Sequence, residues 1–230
     1  MQNINKIIMA SGGLDSTVLA YRAAKNGETF RLLHFQVSND PYEQELSATR
    51  QLAFDLNVPL ETVNLKQMPS VFLGHVEIGK IVMDEFDTDI GPACASGFPI
   101  LLSAATFYAQ VTNIREIEVG VIAEQAVTRP RLKQFYEQWT EMMAMFNPQA
   151  ATVRVSTPLI DLSKAEVLKL GLEVGAPIHR TFSCLRPGQD HCGECNGCRE
   201  RALAFCQTGC SDLTHYRVNP LTREFADLQA

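Results

Sequence analysis

Four of the seven cysteines fall within fifteen residues, as Cys184-x7-Cys192-x2-Cys195-x2-Cys198. Four thiolates complete a tetrahedral Zn(II) shell and leave no open position, so a site of this kind holds structure together rather than activating water. Gly193 and Gly197 permit the tight turns that a chelate of this spacing needs. An iron–sulfur cluster, a redox pair and plain buried thiols use the same residue types and stand as alternatives to zinc. Cys94, Cys206 and Cys210 read as core thiols, and His191 lies beside a ligand without being needed as one.

A second chemical group lies near the start of the chain, Ser11-Gly12-Gly13-Leu14-Asp15-Ser16, between an apolar run of strand length and a helical stretch. Two consecutive glycines let backbone N–H groups approach an anion closely, a helix N-terminus adds positive potential, and Ser11 and Ser16 bring hydroxyl donors. No lysine follows the glycines as in the Walker loop, and the GxGxxG spacing of dinucleotide sites is absent. A Gly-Gly turn with Asp15 or Ser16 capping the helix is the competing reading. Further on, Thr157-Pro158-Leu159 leads to Ser163-Lys164, where Lys164 is either a point charge for phosphate or an exposed helix lysine.

These groups need a scaffold to bring them together. Lys6 to Ala10, Phe30 to Val37, Glu61 to Leu65, Glu116 to Ile122 and Thr152 to Leu159 read as strands. Between and after them Ser16 to Lys25, Glu43 to Leu56, Pro99 to Val111, Arg131 to Phe146 and Ser163 to Leu172 read as helices. The alternation predicts an α/β fold, a Rossmann-like parallel sheet with crossover helices. The Ser11–Ser16 loop then sits at the carboxyl end of a strand, where open parallel sheets bind ligands. Ser163 followed by Glu166 predicts a capping box on the last of these helices. Met68 to Ala95 is expected to be an irregular, partly helical insertion able to cover a site, and Glu200 to Gln207 a helix after the cysteines. The expected division is 1–178 for the α/β unit and 179–230 for a small cysteine-bearing subdomain.

Composition narrows the choices. At 230 residues, 46% hydrophobic and 20% charged, the chain is neither a disordered polar segment nor a membrane protein in composition. Its formal charge of −6 supplies no bulk field for nucleic acid. The opening MQNINKIIMA is too short in its apolar part for a signal peptide, so the expected location is the cytoplasm, where thiols stay reduced and clustered cysteines hold metal.

SGGLDS after an N-terminal strand resembles the PP-loop motif of the adenine nucleotide alpha-hydrolases. The resemblance implies that Ser11, Gly12, Gly13, Leu14, Asp15, Ser16 and Gly120 bind ATP with Mg(II), that Asp15, Ser16 and Lys164 are catalytic, and that ATP is cleaved to AMP and pyrophosphate. Ser183-Cys184, Cys192-Gly193-Glu194-Cys195-Asn196-Gly197-Cys198, Arg201 and Ala204-Phe205, in this order after the loop and the TPL…K segment, resemble the QueC family, the 7-cyano-7-deazaguanine synthases of queuosine biosynthesis. That resemblance spans residues 6 to 205 and implies a ligase that adenylates the carboxylate of 7-carboxy-7-deazaguanine, with ammonia giving an amide and then a nitrile.

Several residues depart from the family pattern. Gln36-Val37-Ser38-Asn39 stands for an aromatic followed by Gly-Gln, Ser96-Gly97-Phe98-Pro99 for PGRN, Ala123-Glu124-Gln125 and Arg129-Pro130 for a segment with Asp and Tyr-Pro-Asp-Cys, and Arg180 for an acid. The departures fit a paralogue, as in anti-phage operons, that joins a deazapurine carboxylate to another amine or to a protein acceptor. A homodimer is compatible with this reading. Glu45, Gly120 and Glu124 are candidate pocket groups. A PP-loop tRNA-thiolation enzyme and a non-catalytic, zinc-stapled nucleotide-binding protein are the competing functions, the first disfavoured by the acidic balance.

Overall fold

The computed structural model describes residues 4–36, 42–65, 97–146, 152–186 and 188–221. Five strands form one fully parallel sheet in the order β3-β2-β1-β4-β5: β1 Lys6–Met9, β2 Phe30–Gln36, β3 Leu60–Asn64, β4 Glu116–Glu118 and β5 Arg154–Ser156. The chain builds outward from β1 to β3, then returns to the other side of β1 for β4 and β5. Because parallel crossovers are right-handed, this reversal sends the connecting helices to opposite faces. Helices α1 (Leu14–Lys25) and α2 (Tyr42–Leu56) cover one face, and α3 (Gly97–Val111) and α5 (Leu132–Phe146) the other, with the short α4 (Ala123–Thr128) between β4 and α5.

Alternation along the strands feeds both cores. Ile8 and Leu32 join Val18, Leu19, Val167 and Leu168 on the first face, while Ile7, Leu33 and Ile117 join Leu102, Tyr136 and Trp139 on the second. Helix α6 (Lys164–Glu173) returns to the first face, and α7 (Asn196–Thr208) adds Ala204 and Phe205 to the same core. The capping box forms as expected: Ser163 Oγ accepts the Glu166 N–H, and the Glu166 carboxylate accepts the Ser163 N–H at 2.8 Å.

The expected strands and helices exist, with changed ends. The fourth strand stops at Glu118 rather than Ile122, and the fifth runs only over Arg154–Ser156, since each pairs with just three residues of the other. Val119 to Ile122 instead leave the sheet, with Gly120 close to Asp15 and Ser16. The last helix starts at Asn196, inside the cysteine cluster, not at Glu200. Cys206 is exposed rather than in the core, and Cys210 packs half-buried against the first core. Val37 and the Met68–Ala95 insertion with Cys94 lie outside the described residues. No helix among the described residues is long and apolar enough to cross a membrane.

One polar group is sunk into the sheet. Lys6 Nζ bonds Glu118 at 2.7 Å and Glu28, with Glu116 at 3.9 Å, and both Lys6 and Glu118 are buried. Removing the cation leaves carboxylates buried without a counter-charge, so Lys6→Met is expected to cost about 3 kcal/mol. A lower urea midpoint at unchanged m-value is the expected readout.

Candidate functional site

The reversal in strand order falls between β1 and β4, and the crevice beyond the carboxyl ends of such a pair is where open α/β sheets take ligands. The Ser11–Gly13 turn leaves β1 there, and α1 opens with Gly13 as its N-cap. The first intrahelical bond is Thr17 N–H to the Gly13 carbonyl at 3.1 Å, so the N–H groups of Leu14, Asp15 and Ser16 precede it and face outward from the helix end. Gly13 has no side chain to cap with, and neither Asp15 nor Ser16 caps the helix. The Ser16 hydroxyl turns back onto the turn instead: it accepts the Ser11 N–H at 3.2 Å, lies 3.2 Å from Ser11 Oγ and 3.3 Å from the Gly13 carbonyl. The two serines fix the loop, and the competing cap reading falls.

Two glycines bear directly on the turn. Gly12 has φ +74, and a Cβ there would collide with the backbone carbonyl of Glu45 on α2. Gly120, just beyond β4, lies so close to α1 that a Cβ would come 3.2 Å from Ser16 N and 3.3 Å from Asp15 C. The structure therefore brings Gly120 against the loop, as the sequence suggested.

Lys164 is no exposed helix lysine. Its Nζ donates to Asp15 Oδ2 at 2.7 Å, with side chains only 13% and 18% exposed, across 149 positions of sequence. Asp15 Oδ1 is buried and has no hydrogen-bond partner among the described residues. A carboxylate oxygen left in this state is a hard donor of the kind a divalent cation such as Mg(II) takes. Glu124 joins the group from α4, its Oε1 accepting the Lys164 N–H at 2.8 Å.

Two residues were missed from sequence. Glu200 on α7 faces Lys164, Asp15 and Glu124, and burial, the main influence, pushes its carboxyl above the usual range. The helix expected over Glu200 to Gln207 already carries it, but spacing along the chain does not show that this helix faces Asp15 and Lys164. His34 on β2 is fully buried; its Nδ1 bonds the Ala10 carbonyl at 2.8 Å, pinning the strand end before Ser11. Arg180, one of the family departures, pairs outward with Asp55 on α2 at 3.1 Å.

Glu45 is half-buried on α2 behind Gly12, and burial pushes its carboxyl up to about 8 from 4.5. Folded protein then holds a proton that the unfolded chain has released, so stability falls as pH climbs through that window. Glu45→Gln abolishes this contribution, and its stability relative to the native chain is expected to rise between about pH 5 and about pH 8 in denaturant titrations.

The four cysteines converge as expected. Cys184, Cys192, Cys195 and Cys198 are all buried, with sulfurs within 4.8 Å of one another. Cys192 and Cys198 lie 3.9 Å apart, Cys184 and Cys195 3.9 Å, and Cys195 and Cys198 3.4 Å. Zinc–sulfur bonds of about 2.3 Å in a tetrahedron imply sulfur spacings of about 3.8 Å, so the donor set fits Zn(II). Backbone N–H groups of Leu185, Arg186, Cys192, Glu194 and Cys195 point at the sulfurs at 3.3 to 3.4 Å, which favours thiolates. Hydrogen bonds with Cys195 and Cys198 draw the Cys184 thiol down, while those with Cys184 and Cys195 push the Cys198 thiol up. His191 is outside this set: its Nε2 accepts the Ser183 N–H at 3.1 Å and its ring packs between Phe182 and Tyr216.

Comparison with known proteins agrees with this geometry. The profile of the family described as "Queuosine biosynthesis protein QueC" matches residues 5–209. The 7-cyano-7-deazaguanine synthase 2 of Sulfurisphaera tokodaii is 32% identical over 222 residues, 91% of this chain and 47% of that protein. The 7-cyano-7-deazaguanine synthase of Chlorobaculum parvum is 27% identical over 226 residues, 93% of this chain and 97% of the relative. The chain thus spans about half the length of the Sulfurisphaera relative and nearly all of the Chlorobaculum one. Among solved structures, the U34-tRNA thiolase NcsA from Methanococcus maripaludis with its [4Fe-4S] cluster shares the fold at a TM-score of 0.53 and 15% identity, covering 90% of this chain and 65% of that one. NMN synthetase from Francisella tularensis does so at a TM-score of 0.50 and 20% identity, covering 90% and 78%. With the loop at the strand reversal, the lysine that reaches it and four converging sulfurs all inside the matched span, the chain belongs to the QueC family.

Proposed function

We propose that this chain is an ATP-dependent carbon–nitrogen ligase acting on the carboxylate of a 7-deazapurine such as 7-carboxy-7-deazaguanine. The observation that carries the reading is the Lys164–Asp15 pair, held at 2.7 Å beside a glycine turn at the reversal of strand order. The substrate carboxylate attacks the α-phosphorus of ATP, releasing pyrophosphate and giving an acyl adenylate. Ammonia or another amine attacks the acyl carbon, AMP leaves, and the amine's proton passes to solvent. With ammonia, a second ATP adenylates the amide oxygen with loss of pyrophosphate and one N–H proton, and loss of AMP with the other N–H proton yields the nitrile.

The chain's own groups bind and position. Ser11, Gly12, Gly13, Leu14 and Ser16 present hydroxyl and backbone donors to the departing pyrophosphate, which stabilises charge that grows on it. Lys164 shifts its charge from Asp15 toward phosphate, and Gly120, lacking a Cβ, lets the chain after β4 come close against the start of α1. Mg(II), held by Asp15, supplies charge neutralisation on the phosphates. Zn(II) on Cys184, Cys192, Cys195 and Cys198 supplies structure. In this reading residues 1–178 carry the chemistry and 179–230 brace it.

The experiment is incubation with ATP, Mg(II), ammonia and 7-carboxy-7-deazaguanine, following AMP and the base by mass spectrometry. AMP formed together with amide and nitrile supports the reading. ATP left intact in the presence of this acid and a panel of related deazapurine acids would overturn it.

A further inference from the structure

Phe182 stands between the two chemical groups. Its N–H donates to the Gly12 carbonyl at 2.9 Å, and two positions on the chain reaches Cys184, a member of the sulfur cluster. The C=O and N–H of a trans peptide point opposite ways. Holding the Gly12 carbonyl toward Phe182 therefore turns the Gly13 N–H to the other side, where it meets Ser11 Oγ at 3.3 Å. A glycine at positive φ has other conformations within reach, so without that bond the peptide is free to turn over and present a carbonyl where an anion needs a donor.

What grips Phe182 is Arg201. This side chain is fully buried. Its Nη1 donates to Thr181 Oγ1 at 2.6 Å and Ser183 Oγ at 3.3 Å, the residues on either side of Phe182. Its Nη2 donates to the Ile178 carbonyl at 2.7 Å and its Nε to Thr214 Oγ1 at 2.7 Å. Arg201 lies one turn beyond Cys198 on α7, whose N-cap is Cys195. Closing the sulfur shell thus fixes the helix, the helix fixes Arg201, and Arg201 fixes the strand that bonds Gly12.

We infer that Arg201 is a positioning residue for the phosphate loop, and that it makes metal binding at the cysteines and nucleotide binding at Gly12-Gly13 reinforce each other. The inference rests on the proposed nucleotide reading of the loop. Linkage is reciprocal, so bound nucleotide must tighten zinc by the factor that zinc tightens nucleotide.

The test uses the full chain loaded with zinc. Calorimetry first measures ATP binding, and zinc affinity is then measured against a competing chelator with and without saturating ATP. ATP is expected to tighten zinc about tenfold, within the usual span of coupling between sites. Arg201→Lys keeps a buried cation but loses the planar fork that reaches several acceptors, so it is expected to retain zinc while the effect of ATP falls below about twofold. Thr181→Val, which removes one acceptor beside Phe182, is expected to weaken the effect in the same direction. Equal zinc affinity with and without ATP in the native chain overturns the coupling, and an undiminished effect in both variants overturns the role of Arg201 in it. Absence of ATP binding overturns the proposed function and the coupling together.

Discussion

Asp15→Asn is expected to lower pyrophosphate release from ATP by about a hundredfold or more, the scale seen when one preorganised charged or polar group is removed from a reacting centre. The substitution keeps the size of the side chain and one oxygen. It removes the charge that holds Lys164 Nζ at 2.7 Å and replaces or neutralises the buried Oδ1 that no other described group satisfies. Lys164 is then free to pair elsewhere, and Mg(II) loses its carboxylate. The fold should persist, because Leu14, Val18 and Leu19 on the same helix stay in the core. Pyrophosphate release and a thermal melt measured together separate the two outcomes: native turnover in a folded variant would remove Asp15 from the mechanism.

The second large effect is expected at the metal. Cys195→Ser should drop zinc content from about one per chain to near zero and leave the C-terminal segment open to proteolysis, because structural zinc supplies about 10–16 kcal/mol of apparent binding energy to small sites, as much as the whole stability of an ordinary domain. Loss of Cys195 touches several parts of the cluster at once. Its sulfur neighbours both Cys184 and Cys198, it accepts the Leu185 N–H, and it caps α7. Elemental analysis of the native chain finding iron in place of zinc, or a soluble, protease-resistant Cys195→Ser protein, would contradict this account.

The sequence exposed those parts of the site whose chemistry is contiguous. Ser11 to Ser16 and Cys184 to Cys198 declare themselves because anion cradles and chelates are built from neighbours along the chain. Lys164 was legible only as one of two readings, since its partner lies 149 positions away and spacing carries no tertiary information. Glu200 was hidden for a related reason: the helix expected over Glu200 to Gln207 carries it, but the groups it faces, Asp15, Glu124 and Lys164, lie on three other helices far away along the chain. The α/β alternation and parallel order followed from hydrophobic runs, but the ends of β4 and β5 depended on how far each could pair with the other. Cys206 was misplaced because residue type alone says core, while its position on α7 turns it to solvent.

A Cβ at Gly12 would meet the main-chain carbonyl of Glu45 first and then the side chains of Ala48 and Thr49. At position 45 the helix forms that wall through its backbone alone, so the side chain there can change while the turn keeps its glycine. A library randomised at position 45 with glycine kept at position 12 would measure how many side chains that stretch of wall accepts without disturbing the turn.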